Sequence, residues 1–370
     1  MSLVKRYNYS SQFGPDVRDL ISKIESLIIN GNYILGEAVT QFESDFASYI
    51  GADYCVGVNS GTDALIISLM ALGVGPGDEV VTQANTFYAT VAAICIVGAT
   101  PVLTDADPKT YLMDVSMLER AITAKTKAII PVHLFGKCMN MEQISSIARK
   151  YNLKIVEDAA QSHGARINGQ SAGTFGHTGC FSFHPSKNLA AAGDGGAIAT
   201  NDCALAKQVK IIRSLGQYEQ NDHITIGINS KLDTIQAKVL SWKLPNLEYW
   251  NSQRRRIATI YRKNLSHLPV SFQSIDNDLD HVYHLFQLQS EHRDDLLAFL
   301  ISHGVDAIVR YPTPIHRQRA FEKFSWYNSR FPVAEHLAAS CLCLPIRPDM
   351  SDEEVMYVCD CTNNFFGNKK

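Results

Sequence analysis

Two periodicities divide the chain. Residues 16–29 and 38–50 carry apolar side chains at three- and four-residue intervals, which predicts amphipathic helices. The segment between them, 31–36 (GNYILG), has turn residues at both ends and reads as a loop. Residues 1–12 read as an extended arm. From Tyr54 the pattern changes. Short apolar runs at 54–58, 79–82, 100–103, 127–131, 154–156, 180–183 and 196–200 predict strands. They alternate with helical patterns at 62–72, 87–96, 116–123, 141–151 and 203–214. Such alternation predicts βαβ units, an α/β fold, and a mostly parallel central sheet with helices on both faces. A long helix over 232–244 is expected to kink at Pro245 and continue over 248–266. Beyond it, residues 267–370 mix predicted strands (282–289, 305–308) with predicted helices (293–303, 333–339, 352–363). The expected division is a large domain over 1–245 and a smaller α+β domain over 246–370, with no internal repeat.

In open sheets of this kind ligands bind beyond the carboxyl ends of the strands. The loops that follow strands are therefore where chemistry is sought. The most unusual is in 179–196, GCFSFHPSKNLAAAGDGG, where Lys187 follows an aromatic strand end and precedes small residues. Small neighbours leave room for something flat and rigid. An amine confined there can have its pKa lowered and serve as a nucleophile, as in a Schiff base with pyridoxal 5'-phosphate (PLP). Read alone, Lys187 also fits a lysine that buries only its stem. Asn59-Ser60-Gly61-Thr62 follows the first strand and opens a helix, whose first N–H groups suit a phosphate; Ser60 or Thr62 equally fits a plain N-cap. Phe87 follows the second strand and suits ring stacking or core packing. Asp158, at the end of the strand over 154–156, suits a pyridinium partner or a structural acid.

Composition narrows the class. The chain has 370 residues, 46% hydrophobic and 19% charged, in the ordinary range for a globular protein. A net charge of −3 gives no general attraction to nucleic acid or an anionic membrane. The N-terminal MSLVKRYNYS lacks the apolar core of a signal peptide, and no apolar run reaches membrane-spanning length, so a cytoplasmic location is expected. The nine cysteines lie mostly in apolar runs without metal-ligand spacing. Reduced, buried thiols and no metal are expected.

The loops also form an ordered set: NSGTDAL (59–65), ANTFYAT (84–90), PVHLFGK (131–137), EDAAQSHGA (157–165), SFHPSKNLAAAGDGGAIAT (182–200), GINSKLDTIQAKVL (227–240) and LPIRPDMSDEEV (344–355). In this order they resemble the DegT/DnrJ/EryC1/StrS family of PLP-dependent sugar aminotransferases, from Gly36 to about Val355. The resemblance implies PLP-dependent transferase fold type I, the aspartate aminotransferase-like fold. It also implies a homodimer with shared active sites. Carried over by position, Lys187 forms the Schiff base, Asp158 pairs with the pyridine nitrogen, and Gln161 reaches the ring hydroxyl. Gly61, Thr62 and Ser182 hold the phosphate, Phe87 stacks on the ring, and Asn229 reaches the phosphate from the other subunit. Lys231 stands where relatives often carry arginine, and Ala190–Ala192 where glycine is common.

The activity implied is transfer of an amino group from an amino acid, glutamate, to a keto group through the pyridoxamine form of the cofactor. The presence of Lys187, where a dehydrating relative has histidine, favours transamination. Ser230 and Asp194 resemble the branch acting at C3 of dTDP- or UDP-linked sugars. Alternatives are a C4-keto nucleotide sugar, a keto-cyclitol, or a catalytically silent regulator on the same fold. Candidate substrate contacts are His184, Tyr218, Arg310, Tyr311 and His316. The run Arg254-Arg255-Arg256 reads as a solvated helix face, since adjacent helical positions point apart.

Overall fold

The structure, a computed structural model, describes residues 3–14, 16–277 and 279–367. The first two residues of the expected arm lie outside these. Two helices, α1 (Val17–Ile29) and α2 (Glu37–Ile50), precede the strand β1 (Tyr54–Val58). There follow α3 (Gly61–Ala71), β2 (Glu79–Gln83), α4 (Tyr88–Ile96), β3 (Thr100–Thr104), the one-turn α5 (Leu118–Ala121), β4 (Thr126–Ile130), α6 (Met141–Lys150) and β5 (Lys154–Asp158). A two-strand hairpin, β6 (Arg166–Ile167) and β7 (Gln170–Ser171), leads to β8 (Thr178–Ser182), β9 (Gly196–Thr200) and α7 (Cys203–Ile212).

These strands form a seven-stranded sheet in the order β1-β9-β8-β5-β4-β2-β3. Strand β9 runs antiparallel to both neighbours, and every other pair is parallel. Strand side chains alternate between two cores, as a pleated sheet requires. Val56, Val80, Val156, Cys180 and Ile198 pack against α3, α4 and α7. Cys55, Phe181, Phe183, Ala197 and Ala199 pack against Phe42 and Phe46 of α2 and against Leu232 and Leu240. Further along the same face, Val81, Ile129 and Ile155 meet Ile144 and Ala148 of α6. Both faces are therefore covered, which explains why these strands read as continuous apolar runs.

A second hairpin, β10 (Gln217–Glu219) with β11 (Asp222–His223), precedes α8 (Thr234–Lys243). A 3-10 turn over Leu244–Asn246 replaces the helix at Pro245, and α9 (Leu247–Leu265) follows. A smaller antiparallel sheet comprises β12 (Ser271–Phe272), β13 (Phe286–Gln289) and β14 (Cys341–Leu344). It packs with α9, α10 (Arg293–Ser302) and α12 (Asp352–Gly367), and α11 (Pro332–Ser340) leads into β14.

Several expectations are corrected. The strand expected over 282–289 starts only at Phe286, because Tyr283 takes a left-handed backbone at φ 46°. Residues 305–308 form no strand: Val305 bridges Val4 and Ile308 bridges Cys343, two partners with one contact each. The N-terminal segment is not simply extended. Val4 is buried, Arg6 pairs with Asp306 at 3.0 Å, and Ser11–Phe13 make a 3-10 turn. Arg254 is buried at 6% exposure instead of solvated. All nine cysteines are free, and seven are buried. Among the described residues no helix is long and apolar enough to cross a membrane.

Candidate active site

One edge of the large sheet gathers the loops of interest. Val58 and Ser182 sit on either side of Gly196 across adjacent strands, and Asp158 ends β5 beside Cys180. Above this edge lies a cavity of about 370 Å³. It is lined by Gly61, Thr62, Phe87, Asp158, Gln161, Ser182, His184, Lys187, Arg310 and Tyr311.

Helix α3 enters the cavity amino-terminus first. Ser60 caps it by accepting the Asp63 N–H at 3.0 Å. Both readings of this loop therefore meet: Ser60 is the cap, and Gly61 and Thr62 face the cavity. Packing there is tight. A Cβ on Gly61 would stand 2.6 Å from Ser182 Cβ, and one on Gly196 would stand 2.3 Å from the Ser60 carbonyl oxygen. Only glycine lets the helix start come this close to β8 and β9. The result is a pocket of amides and hydroxyls at a positive helix end.

Asp158 is 6% exposed. Its Oδ2 accepts from Thr90 Oγ1 at 2.8 Å and its Oδ1 from the Ala160 N–H at 3.2 Å. Burial raises its pKa, while those two donors and the Lys187 charge lower it. Neighbouring Glu157 points the other way. It accepts from the N–H groups of Gly173 (2.8 Å), Phe175 (2.6 Å) and Gly176 (2.6 Å), and meets His133 Nε2 at 2.8 Å. His133 Nδ1 accepts the Met139 N–H, so the ring carries its proton on Nε2. One acid thus ties loops together and the other faces the cavity.

Lys187 sits in a turn closed by its N–H donating to the His184 carbonyl at 2.8 Å. Its pKa falls to about 8, because burial outweighs the attraction of Asp158, and the Arg310 charge lowers it further. Gln161 Oε1 accepts the Phe135 N–H at 2.6 Å, and its Nε2 donates to the Tyr311 hydroxyl at 3.0 Å. The Phe87 ring is 5.5 Å from the Tyr311 ring and is 47% exposed, an aromatic face open to the cavity.

Three expected residues do not line this cavity. His316 is fully buried, its Nε2 2.9 Å from Glu335 Oε1 and its ring against Phe331, so it packs the protein instead. Tyr218 is exposed on the β10–β11 hairpin. Asn229, expected to reach the phosphate of the other subunit and not of its own, takes a hydrogen bond from Lys231 Nζ at 2.8 Å. Conversely, Tyr7, His284 and the Asp158 partner Thr90 escaped the sequence reading. Thr90 carried one usable signal, its i,i+4 spacing from Thr86, whose hydroxyl lies 2.8 Å away. Tyr7 and His284 come from distant segments and carried none. Among the described residues no cluster of three or more His, Cys, Asp or Glu is placed to hold a metal ion.

The model of the DegT/DnrJ/EryC1/StrS aminotransferase family matches residues 16–363. The chain belongs to that family. This aminotransferase is 41% identical over 348 residues to the dTDP-3-amino-3,6-dideoxy-alpha-D-galactopyranose transaminase of Aneurinibacillus thermoaerophilus, covering 94% of this chain and 95% of the relative. It is 40% identical over 367 residues to the pleiotropic regulatory protein of Geobacillus stearothermophilus, covering 98% of each. Among solved structures it is similar to S. venezuelae DesV in complex with a ketimine intermediate, with a TM-score of 0.96, 37% identity and 99% of each chain covered. It is also similar to NtdA from Bacillus subtilis with bound cofactor PMP, with a TM-score of 0.93, 32% identity, 99% of this chain and 86% of that one. The α/β fold expected from the sequence, with its mostly parallel sheet, is the fold of this aminotransferase family.

Proposed function

We propose that this aminotransferase uses PLP to move an amino group from glutamate to the C3 keto group of a dTDP- or UDP-linked sugar. The observation that carries the reading is one cavity holding the Lys187 amine, the Asp158 carboxylate and the amino-terminus of α3. The residues fit the cofactor. The glycine cradle at Gly61, with the Thr62 and Ser182 hydroxyls, suits a phosphate. Phe87 offers a face to a flat ring, and Gln161 an amide to its hydroxyl. Bound there, PLP supplies an electron sink for the charge left when a proton leaves the donor's α-carbon.

The chain's own groups supply the rest. Asp158, oriented by Thr90 and the Ala160 amide, holds a proton on the pyridine nitrogen by pairing with it. Lys187 Nζ is substantially neutral near pH 8, so it can attack a carbonyl and then carry a proton to and from a carbon atom. Burial is the main reason that amine is held back from charging; Arg310 adds to it and, with His184 and Tyr311, faces the space left for substrate. The C3 assignment is supported by Ser230 and Asp194 and by the transaminase relative named for a 3-amino sugar.

We read the chain as a cytoplasmic homodimer whose Asn229 loops serve the phosphate of the neighbouring protomer, divided into a 1–245 and a 246–370 domain. A silent regulator is the second reading, favoured by the regulatory relative and opposed by the intact Lys187 and Asp158. An absorbance spectrum with PLP, then with glutamate, tests the proposal. A visible band in wild type, converted by glutamate and missing in Lys187→Ala, supports it. No band in wild type removes it. Mass spectrometry of products from dTDP- and UDP-3-keto sugars then identifies the acceptor.

A further inference from the structure

A second cavity of about 190 Å³ shares Tyr7, Ser186 and Lys187 with the first. Its walls carry two buried cations without an ion-pair partner among the described residues, Arg254 drawing only on the longer-range attraction of Tyr7 and Asp349. Lys243, at the end of α8, is 1% exposed. Its Nζ donates to Gln12 Oε1 at 3.1 Å and the Ala190 carbonyl at 3.0 Å, and lies 4.1 Å from the centre of the Phe13 ring. Arg254, on α9, is 6% exposed. Its Nη1 donates to the carbonyls of Tyr283 (3.1 Å) and Ile346 (2.9 Å), and its Nε has no partner. Neither cation forms an ion pair among the described residues. The third basic wall residue outside the Lys187 turn, Arg347, is already neutralised. It meets Glu354 at 2.5 Å and Asp349 at 3.1 Å. Asp349, the one acid among the described lining residues, shares Arg347 with Glu354 and takes the Asn8 amide at 2.9 Å, and its charge also reaches Arg254 without a direct contact.

Buried charge without a counter-charge is costly, and proteins retain it where something else supplies the opposite sign. We propose that this cavity binds a small anion carrying a carboxylate or phosphate group, held between Lys243 and Arg254 under the N-terminal segment 7–12. A water's share of volume is about 30 Å³, so the cavity has room for roughly six waters or one short dicarboxylate. Asn8 and Ser11 add neutral hydrogen-bonding groups, and Trp250 adds an apolar wall. Because the lid is the N-terminal segment itself, the anion ties residues 7–12 to α8 and α9 beside the Lys187 turn. The burial that depresses the Lys243 pKa to about 8 is the same cost an anion would offset.

This site stands independently of the transamination reading. Of the three tryptophans only Trp250 lines it, so its fluorescence reports locally. The test titrates succinate, and separately inorganic phosphate, into PLP-loaded protein whose phosphate cradle is filled. A saturable Trp250 signal, absent in Trp250→Phe, is expected with at least one; succinate alone marks a carboxylate ligand and phosphate alone a phosphate ligand. Lys243→Met should weaken binding at least tenfold. Gln12→Glu, which puts a carboxylate against Lys243 from the N-terminal segment, should do the same and decides the matter if Lys243→Met does not fold. Arg310→Met should leave binding unchanged. No saturable response to either anion overturns the proposal. So does unchanged affinity in the folded variants, or loss in Arg310→Met alone. The PLP band of the same samples reads the main cavity separately, so either idea can fail without the other.

Discussion

The Thr90 hydroxyl donates to Asp158 Oδ2 across 2.8 Å, joining residues 68 positions apart. The bond fixes one oxygen of the acid and, with the Ala160 amide, offsets part of the desolvation, which still leaves its pKa raised. Thr90→Val removes the donor and keeps the shape. A hydrogen bond to a charged group is worth roughly 1.5–3 kcal/mol, so kcat should fall about tenfold or more with little change in KM. The pH titration of the bound-cofactor band should shift in the same variant. An unchanged kcat and titration would leave Thr90 a packing residue.

Gly61→Ala tests the phosphate cradle. The added Cβ meets the Ser182 side chain at 2.6 Å and its Cα at 3.1 Å, so something must move. A loss of about 1–3 kcal/mol of stability and weaker PLP binding are expected. Gly75→Ala is the control, since its nearest neighbour would be at 3.8 Å and its backbone is not left-handed. Thermal melts and PLP titration of the two variants compare them directly.

The Lys187 amine sets a pH dependence with a definite sign. Its folded pKa of about 8 lies below its ordinary 10.5, so between these values the folded apo-protein binds fewer protons than the unfolded chain. Stability from this group therefore rises with pH across that window, and Lys243 acts in the same direction. PLP capture by the apo-protein should follow the neutral amine, with a midpoint near pH 8. Arg310→Met removes a charge that lowers this pKa and should move the midpoint upward. Stopped-flow absorbance against pH reads both. A midpoint above 10 in wild type would contradict the site as described.

Glu157→Gln should cost stability before it costs chemistry. The buried carboxylate accepts from three backbone N–H groups and meets His133 Nε2, the Gly173 and His133 contacts fully buried and those of Phe175 and Gly176 half-buried. An amide has one acceptor oxygen and brings two donors of its own, so buried groups are left unpaired. A loss of roughly 2–4 kcal/mol is expected, from one or two stranded groups at about 1–3 kcal/mol each. Denaturant unfolding measures it, and the PLP band of the folded fraction should keep its position.

The large sheet was legible because its strands are buried on both faces and its helices repeat between them. The cavity was legible where local sequence carried it: Gly61, Phe87 and Lys187 each follow a strand of that sheet, and Asp158 ends one. What stayed hidden depends on long-range packing. His316 has the composition of a substrate contact, yet Glu335 and Phe331 claim it. Arg254 sits among arginines that look solvated, yet its turn of α9 faces inward. Strand β14, CLCL, lies directly after α11 with no turn residue to announce it. Tyr283 delays the start of a predicted strand through a backbone angle that residue type does not disclose.

Strand β9, antiparallel between two neighbours, gives the two reactive residues opposite tolerances to insertion and deletion. Lys187 rides on a connection pinned at both ends by the Ser182–Gly196 pairing. Residues gained or lost between those pins leave the pairing of β8 and β9 as it was and simply re-aim the amine. Asp158 has no such slack. It is the last residue of an inner parallel strand, and a slip of one position would exchange it with Glu157 and turn the cavity's acid into the interior. Divergence in how far the amine reaches is open to this fold, and divergence in where the acid stands is closed.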